Sequence, residues 1–280
     1  MFYLLNILLQ MKVLLNNQTL NKELRHFNDI GFVPTMGGIH KGHISLIKKS
    51  KKLCKKTIVS IFINPKQFNN KKDFKTYPKN IKKDLLIIKK IKGVDFVYIP
   101  KFKDIYNYKR KSKIKLHKKD KILCAKFRKG HFEGVLAVMN QLLKIVKAKY
   151  VFLGEKDYQQ VYLIKKFIKN KFNNKIITCK TIRDINSLPY SSRNFLLKKN
   201  DLFKASIVSL KIRKLYNLIK KRFIMKNQLK FIKKELIRHG INIEYFEIRN
   251  KYNLSKKFSK KNFKIFVAFY INNVRLIDNF

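Results

Sequence analysis

Long apolar runs are missing from this 280-residue chain. No stretch approaches the roughly 18 apolar residues that mark a membrane-spanning helix, so no helical span is expected. Phe2 to Leu9 is too short, carries Asn6 and has no basic flank before it, which argues against a secretory leader. Cysteine is scarce: Cys54, Cys124 and Cys179 are odd in number and far apart, which suggests neither a disulfide framework nor a paired-cysteine metal knuckle. These absences predict a cytoplasmic protein in a reducing compartment. Glycine is also scarce, with nine residues where a share of roughly 7% is usual. Six of them, Gly37, Gly38, Gly42, Gly130, Gly134 and Gly154, fall in the motif segments below, as expected if glycine persists where backbone geometry requires it.

Negative charge is sparse as well: 16 acidic residues face 67 basic ones, a formal net charge of +51. An excess of that size raises a nucleic-acid or anionic-membrane partner. Only ten of the basic residues are arginine, however, and the lysines run through every segment beside many Asn, Ile and Phe, the pattern of an A/T-rich coding bias. The charge is then a solvated surface, and neither a specific nucleic acid nor a membrane is expected as partner. A basic RNA-binding protein stays as an alternative of another class, against which stand the dispersed lysines and the lack of an aromatic–basic recognition motif.

The length supports one large domain with a smaller one attached. Gly31 to Pro34 reads as a short buried strand that turns at Thr35 to Gly38 into a helix with Leu46, Ile47, Leu53 and Cys54 on one face. Thr57 to Asn64 is the clearest strand and ends at Pro65. Helical spacing over 81–92, a strand over 94–99, a helical stripe of Val135, Val138, Met139, Leu142 and Val146, a strand over 150–153, a helix over 158–169 and a strand over 175–181 complete the series. Strands alternating with helices predict an α/β fold, a Rossmann-like doubly wound parallel sheet. The pattern then changes to two helices, 202–222 and 228–239, and strands over 243–248 and 263–271, read as a smaller C-terminal α+β domain. The expected domains are 11–193 and 194–280; residues 1–10 form an extension without an assigned role, and Met11 reads as an alternative start.

Four constellations carry chemistry. His40-Lys41-Gly42-His43 sits at a strand-to-helix junction, where unpaired N–H groups and the positive end of the helix dipole suit phosphate. Two histidines three apart reach one anion, and Gly42 allows close approach; taken alone, the same pattern also fits an unrelated surface turn. Asn64-Pro65-Lys66-Gln67-Phe68 ends the clearest strand, and Gln67 is placed to orient a polar substrate, although Asn64 and Pro65 also suit a simple turn. Gly154-Glu155-Lys156-Asp157 follows a later strand, with Lys156 suited to phosphate, Gly154 and Asp157 to ribose and Gln160 to the acceptor, or else it is only a helix start. Ser191-Ser192-Arg193-Asn194 offers hydroxyls, amides and a guanidinium for a phosphate clamp, or else a helix cap.

The strings VPTMGGIHKGH, SIFINPKQF, YPKN, RKGHFEGV, FLGEKDYQQ and IRDINSLPYSSRN, in that order, resemble the successive motifs of the pantothenate synthetase family, the pantoate:β-alanine ligases, and the ending from Val274 to Asn279 is similar too. The resemblance runs from about Met11 to the C-terminus. It implies ATP binding by Met36, Gly37, Gly38, Ile39, His40, Lys41, Gly42 and His43, with His43 catalytic and His40 its partner. It further implies nucleotide contacts at Gly154, Glu155, Lys156, Asp157, Ile182, Tyr190, Ser191, Ser192 and Arg193, pantoate binding by Gln67 and Gln160, and β-alanine binding by Gln67. Asp84 matches a position associated with magnesium in some members, but its usual acidic neighbour is Lys83 here. Further departures are Gly38, Lys129, Pro189 and Tyr190. The implied reaction joins pantoate to β-alanine through an adenylate made from ATP with Mg2+, in a homodimer, with His40, His43 and Lys156 stabilising charge. A related nucleotidyltransferase acting on another acceptor stays open, with the Gln67 and Gln160 motifs against it.

Overall fold

The computed structural model describes residues 11–106, 114–169, 171–222 and 226–280; the extension 1–10 lies outside them. The chain divides into two compact units, one holding residues up to Glu155 together with Gln159–Lys180, the other Lys156–Tyr158 with Thr181–Phe280.

The first unit is built on a six-stranded sheet. Its strands are β1 (Lys12–Leu14), β2 (Ile30–Thr35), β3 (Lys56–Ile61), β4 (Phe96–Tyr98), β5 (Tyr150–Gly154) and β6 (Lys175–Cys179), in spatial order β1-β4-β3-β2-β5-β6. Every pair is parallel, as the strand–helix alternation predicts. From β2 the chain steps outward through β3 to β4, then returns to the other side of β2 to lay down β5 and β6. The order therefore reverses between β2 and β5, where open α/β sheets leave a crevice at the strands' carboxyl ends.

Phe32, Val33, Ile58, Val59, Val97, Val151 and Phe152 are fully buried, the near-continuous apolar runs of a sheet covered on both faces. Helix Lys41–Leu53 buries Leu46 and Ile47 as expected. Cys54, the extended C-cap, packs against the same core, whereas Leu53 lies exposed in the last turn. The 135–146 stripe is buried throughout in helix His131–Val146. Strand β3 stops at Ile61, short of the expected 64, because Asn64 caps a tight 3-10 turn over Pro65–Gln67, where proline's missing N–H costs nothing.

The second unit holds helices Lys199–Arg222 and Lys226–Arg238 and an antiparallel sheet, β7 (Asn242–Asn250), β8 (Phe263–Ile271) and β9 (Val274–Asn279), in that order. Along β8, Phe263, Ile265, Val267, Phe269 and Ile271 all enter one core, the period of two that a strand imposes. Asn272 and Asn273 both have positive φ, 46° and 60°, and make a two-residue hairpin that pairs Ile271 with Val274. The division between units comes before Thr181, whereas the change to long helices had put a boundary after Arg193. The reason is packing: Leu188 belongs to the second core, and Arg183 is ion-paired to Asp278 of β9.

Candidate active site

In the first unit the backbone leaves β2 through a loop fixed from below by two side chains. The Thr35 hydroxyl donates to the Ser60 carbonyl at 2.7 Å and accepts from the Gly37 N–H at 3.2 Å. Asp84, on helix Ile81–Lys90 and only 4% exposed, accepts from the Gly38 N–H at 2.9 Å with Oδ2 and from the Ile39 N–H at 2.8 Å with Oδ1. A side chain at residue 37 would put its Cβ 2.8 Å from Asp84 Oδ2, and φ there is +78°, so the position requires glycine on both counts.

The loop delivers His40 as the N-cap of helix Lys41–Leu53, with extended backbone and its Nδ1 accepting from the Gly42 N–H at 3.1 Å. Because Nδ1 is the acceptor, the neutral ring carries its proton on Nε2, leaving that nitrogen as donor. The His43 ring lies 4.0 Å from the His40 ring, centroid to centroid, at 31°. Two imidazoles thus sit together on the first turn of a helix at the carboxyl end of β2.

Gln67 is held through both its main chain and its side chain. Asn64, fully buried, donates from Nδ2 to the Gly134 carbonyl at 3.1 Å and to Gln67 Oε1 at 3.3 Å, while its Oδ1 accepts from the Tyr106 hydroxyl at 3.0 Å. Burial pushes the Tyr106 hydroxyl well above its ordinary pKa, so it stays a donor. His131 lies between Arg128 Nη1, 3.0 Å from Nε2, and the Gln67 carbonyl, 2.6 Å from Nδ1. A guanidinium has only donors, so Nε2 accepts and Nδ1–H donates to Gln67. A Cβ on Gly134 would lie 2.1 Å from the Lys66 carbonyl oxygen, so here glycine permits backbone against backbone. The Gln67 side-chain amide reaches the Met36 sulfur. Gln160 is half-buried near the start of helix Tyr158–Ile168, beside Gln159, whose amide is committed to the Ile122 carbonyl at 2.6 Å.

Gly154 ends β5 next to β2, and Glu155 opens the 3-10 turn that follows. In the second unit, Lys156 contacts Asp157, Nζ to Oδ1 at 3.4 Å, and its carbonyl accepts from Asn279 Nδ2 at 2.8 Å. Ile182 and Tyr190 face each other across a tight loop, the Tyr190 N–H donating to the Ile182 carbonyl at 3.1 Å. Ser191 caps the 3-10 turn Ser192–Leu196, its Oγ accepting from the Arg193 N–H at 3.3 Å, so the capping role is realised; Ser192 is buried.

Both Asp84 oxygens are engaged by loop amides, and among the described residues no group of three or more His, Cys, Asp or Glu is arranged to hold a metal ion. Cys54 and Cys179 are half-buried in the first unit. Burial pushes Cys54 up to about 11 and raises Cys179 too, so both are thiols at neutral pH rather than nucleophilic thiolates.

The family profile described as pantoate-beta-alanine ligase matches residues 10–280. The chain belongs to the pantoate–β-alanine ligase family. A pantothenate synthetase from Francisella tularensis subsp. novicida is 43% identical over 256 residues, covering 90% of this chain and 88% of that one. One from Flavobacterium psychrophilum is 38% identical over 262 residues, covering 89% and 90%. Among solved structures, a pantoate–β-alanine ligase from Francisella tularensis, complexed with an ATP species and β-alanine, superposes with TM-score 0.82 at 39% identity, covering 97% of each chain. The pantothenate synthetase of Thermus thermophilus gives TM-score 0.88 at 25% identity, covering 96% and 99%.

For a ligase of this family, reading the sequence alone missed the supporting residues. Asn64 reads there as a turn residue and Gly134 as one of the retained glycines, neither as a support for Gln67, and Arg183, Asp278 and Asn279 carry no assigned role. The signal for β9 was present in Asn272-Asn273, a two-residue turn between apolar runs.

Proposed function

We propose that this chain condenses pantoate with β-alanine, using ATP, in two half-reactions. The pantoate carboxylate attacks the α-phosphorus, giving pantoyl adenylate and pyrophosphate. The amine of β-alanine then attacks the acyl carbon, forming the amide and releasing AMP. The observation that carries this reading is the His40–His43 pair on a helix N-terminus beside the sheet's reversal point, in a chain matched to the ligase family over residues 10–280.

The first nucleophile is ionised at neutral pH, its pKa being about 4, so adenylation needs no general base. Catalysis rests on positioning and on stabilising charge as it moves onto the phosphoryl oxygens. His40 and His43 are donors for those oxygens, and Lys156 supplies a full charge. Met36 to His43 bind the nucleotide, with Gly154 to Asp157, Ile182 and Tyr190 to Arg193. Gln67 and Gln160 orient pantoate, and Gln67 also borders the β-alanine position. Magnesium would enter with ATP and would neutralise charge on its phosphates; both Asp84 oxygens are already taken up by the loop amides. The attacking amine, with a lysine-like pKa of about 10, must shed a proton, and solvent or the adenylate phosphate accepts it. We read the working form as a homodimer, from the family resemblance. A cytoplasmic setting agrees with the lack, among the described residues, of any helix long and apolar enough to cross a membrane.

The test is pyrophosphate release from Mg-ATP by purified protein with pantoate, with and without β-alanine. Release that needs pantoate, and pantothenate only when β-alanine is added, is the expected result. A folded, ATP-binding sample without pantoate-dependent release would overturn it in favour of another acceptor.

A further inference from the structure

Lys156 has a support that no motif reveals. Its carbonyl is bonded by the side-chain amide of Asn279, 123 residues later, at 2.8 Å. Asn279 is buried, and it is held by its own backbone: its N–H donates to Asp278 Oδ1 at 2.7 Å and its carbonyl accepts from Arg183 Nη2 at 3.0 Å. Asp278, 2% exposed, is saturated. It takes two parallel bonds from Arg183, both 2.8 Å, and one from the Ser209 hydroxyl at 2.7 Å, besides the Asn279 N–H. Arg183 in turn stacks on the Phe280 ring at 3.8 Å and donates to the Ser187 carbonyl at 2.8 Å. All these groups belong to the second unit.

We propose that Asn279 is a positioning residue for Lys156, set by the Arg183–Asp278 ion pair. An exposed asparagine would sample several rotamers, whereas this one is buried, its backbone is held at both polar groups and its Nδ2 is bonded to the Lys156 carbonyl, which together confine the donor. A lysine side chain is a flexible four-carbon stem, and its ammonium can meet a phosphate reproducibly only if the stem's origin is fixed. Misplacement of about 1 Å can cost as much as about a hundredfold in rate.

The inference rests on the role proposed for Lys156, and a double-mutant cycle separates the two. ATP affinity by calorimetry and pantoate-dependent pyrophosphate release are measured for the wild type, Asn279→Ala, Lys156→Ala and the double variant. Asn279→Ala is expected to weaken ATP about fivefold and slow adenylation about tenfold, with the KM for β-alanine unchanged. In the Lys156→Ala background the same substitution should change ATP affinity less than about twofold. If Asn279→Ala does not fold, Asn279→Ser, polar but too short to reach the carbonyl, takes its place. Equal losses in both backgrounds, or no loss in the wild type, overturn the positioning role alone. Unchanged ATP affinity and adenylation in Lys156→Ala would overturn the role of Lys156, and the inference with it.

Discussion

The Met36–His43 loop and the Glu155–Asp157 turn both follow the carboxyl end of a parallel strand, yet they are secured by opposite chemistry. The first presents two backbone N–H groups to its support, and the support is a carboxylate, Asp84, one oxygen to each. The second presents a carbonyl, and the support is an amide donor, Asn279. In each case the polarity of the exposed peptide group selects the side chain beneath it. The carboxylate also differs in its company. Asp84 is bonded to neutral amides, whereas Asp278 is paired with Arg183 and acts one residue removed, through Asn279. A loop can thus be tied directly by a charge, or by a neutral group that a neutralised charge pair holds in place.

Four substitutions strain this contrast, in decreasing order of effect. Asp278→Ala should be the most damaging. It leaves the Arg183 guanidinium without its carboxylate and should cost about 4 kcal/mol, read as a lower urea midpoint at unchanged slope. A loss no greater than for Asp84→Asn would erase the distinction between the two supports. His43→Ala should slow adenylation about a hundredfold, the usual effect of removing one preorganised donor, with little change in stability; stopped-flow pyrophosphate detection checks it. Asp84→Asn turns an NH2 group toward a backbone N–H and should cost about 2 kcal/mol. Much of that loss should appear as weaker ATP binding with the KM for β-alanine unmoved; if added magnesium restored binding, Asp84 would be a metal ligand after all. Thr35→Val removes one hydroxyl from the same loop and should cost about 1 kcal/mol in thermal unfolding.

The sheet and the turn from Thr35 into helix Lys41–Leu53 were legible in the sequence because their signals are local. Apolar runs of strand length alternate with helical stripes, and the sparse glycines gather where the backbone turns. His40 and Gly42 could be read together because the contact between them, Nδ1 to N–H, spans two residues. Asp84 was visible as a residue but not as a tie, since its partners lie 45 and 46 positions earlier and are main-chain groups that carry no side-chain signature. The link from Asn279 to Lys156 was hidden for the same reason over a longer span. The division of the two compact units falls earlier than the change in helix content: Leu188 joins the second core and Arg183 pairs with Asp278 before any long helix of that unit begins.

Gly134 shows how such a chain tolerates its own composition. With its α-carbon laid against the Lys66 carbonyl, the spacing between helix His131–Val146 and the turn carrying Gln67 is a contact of main chain on main chain. Van der Waals radii of carbon and oxygen set the distance at that contact, and two side-chain bonds, Asn64 to the Gly134 carbonyl and His131 to the Gln67 carbonyl, draw the same elements together. Any side chain at residue 134 would push the turn carrying Gln67 away from the helix, whereas Lys66, one of the lysines so frequent in this chain, enters that contact through its main chain.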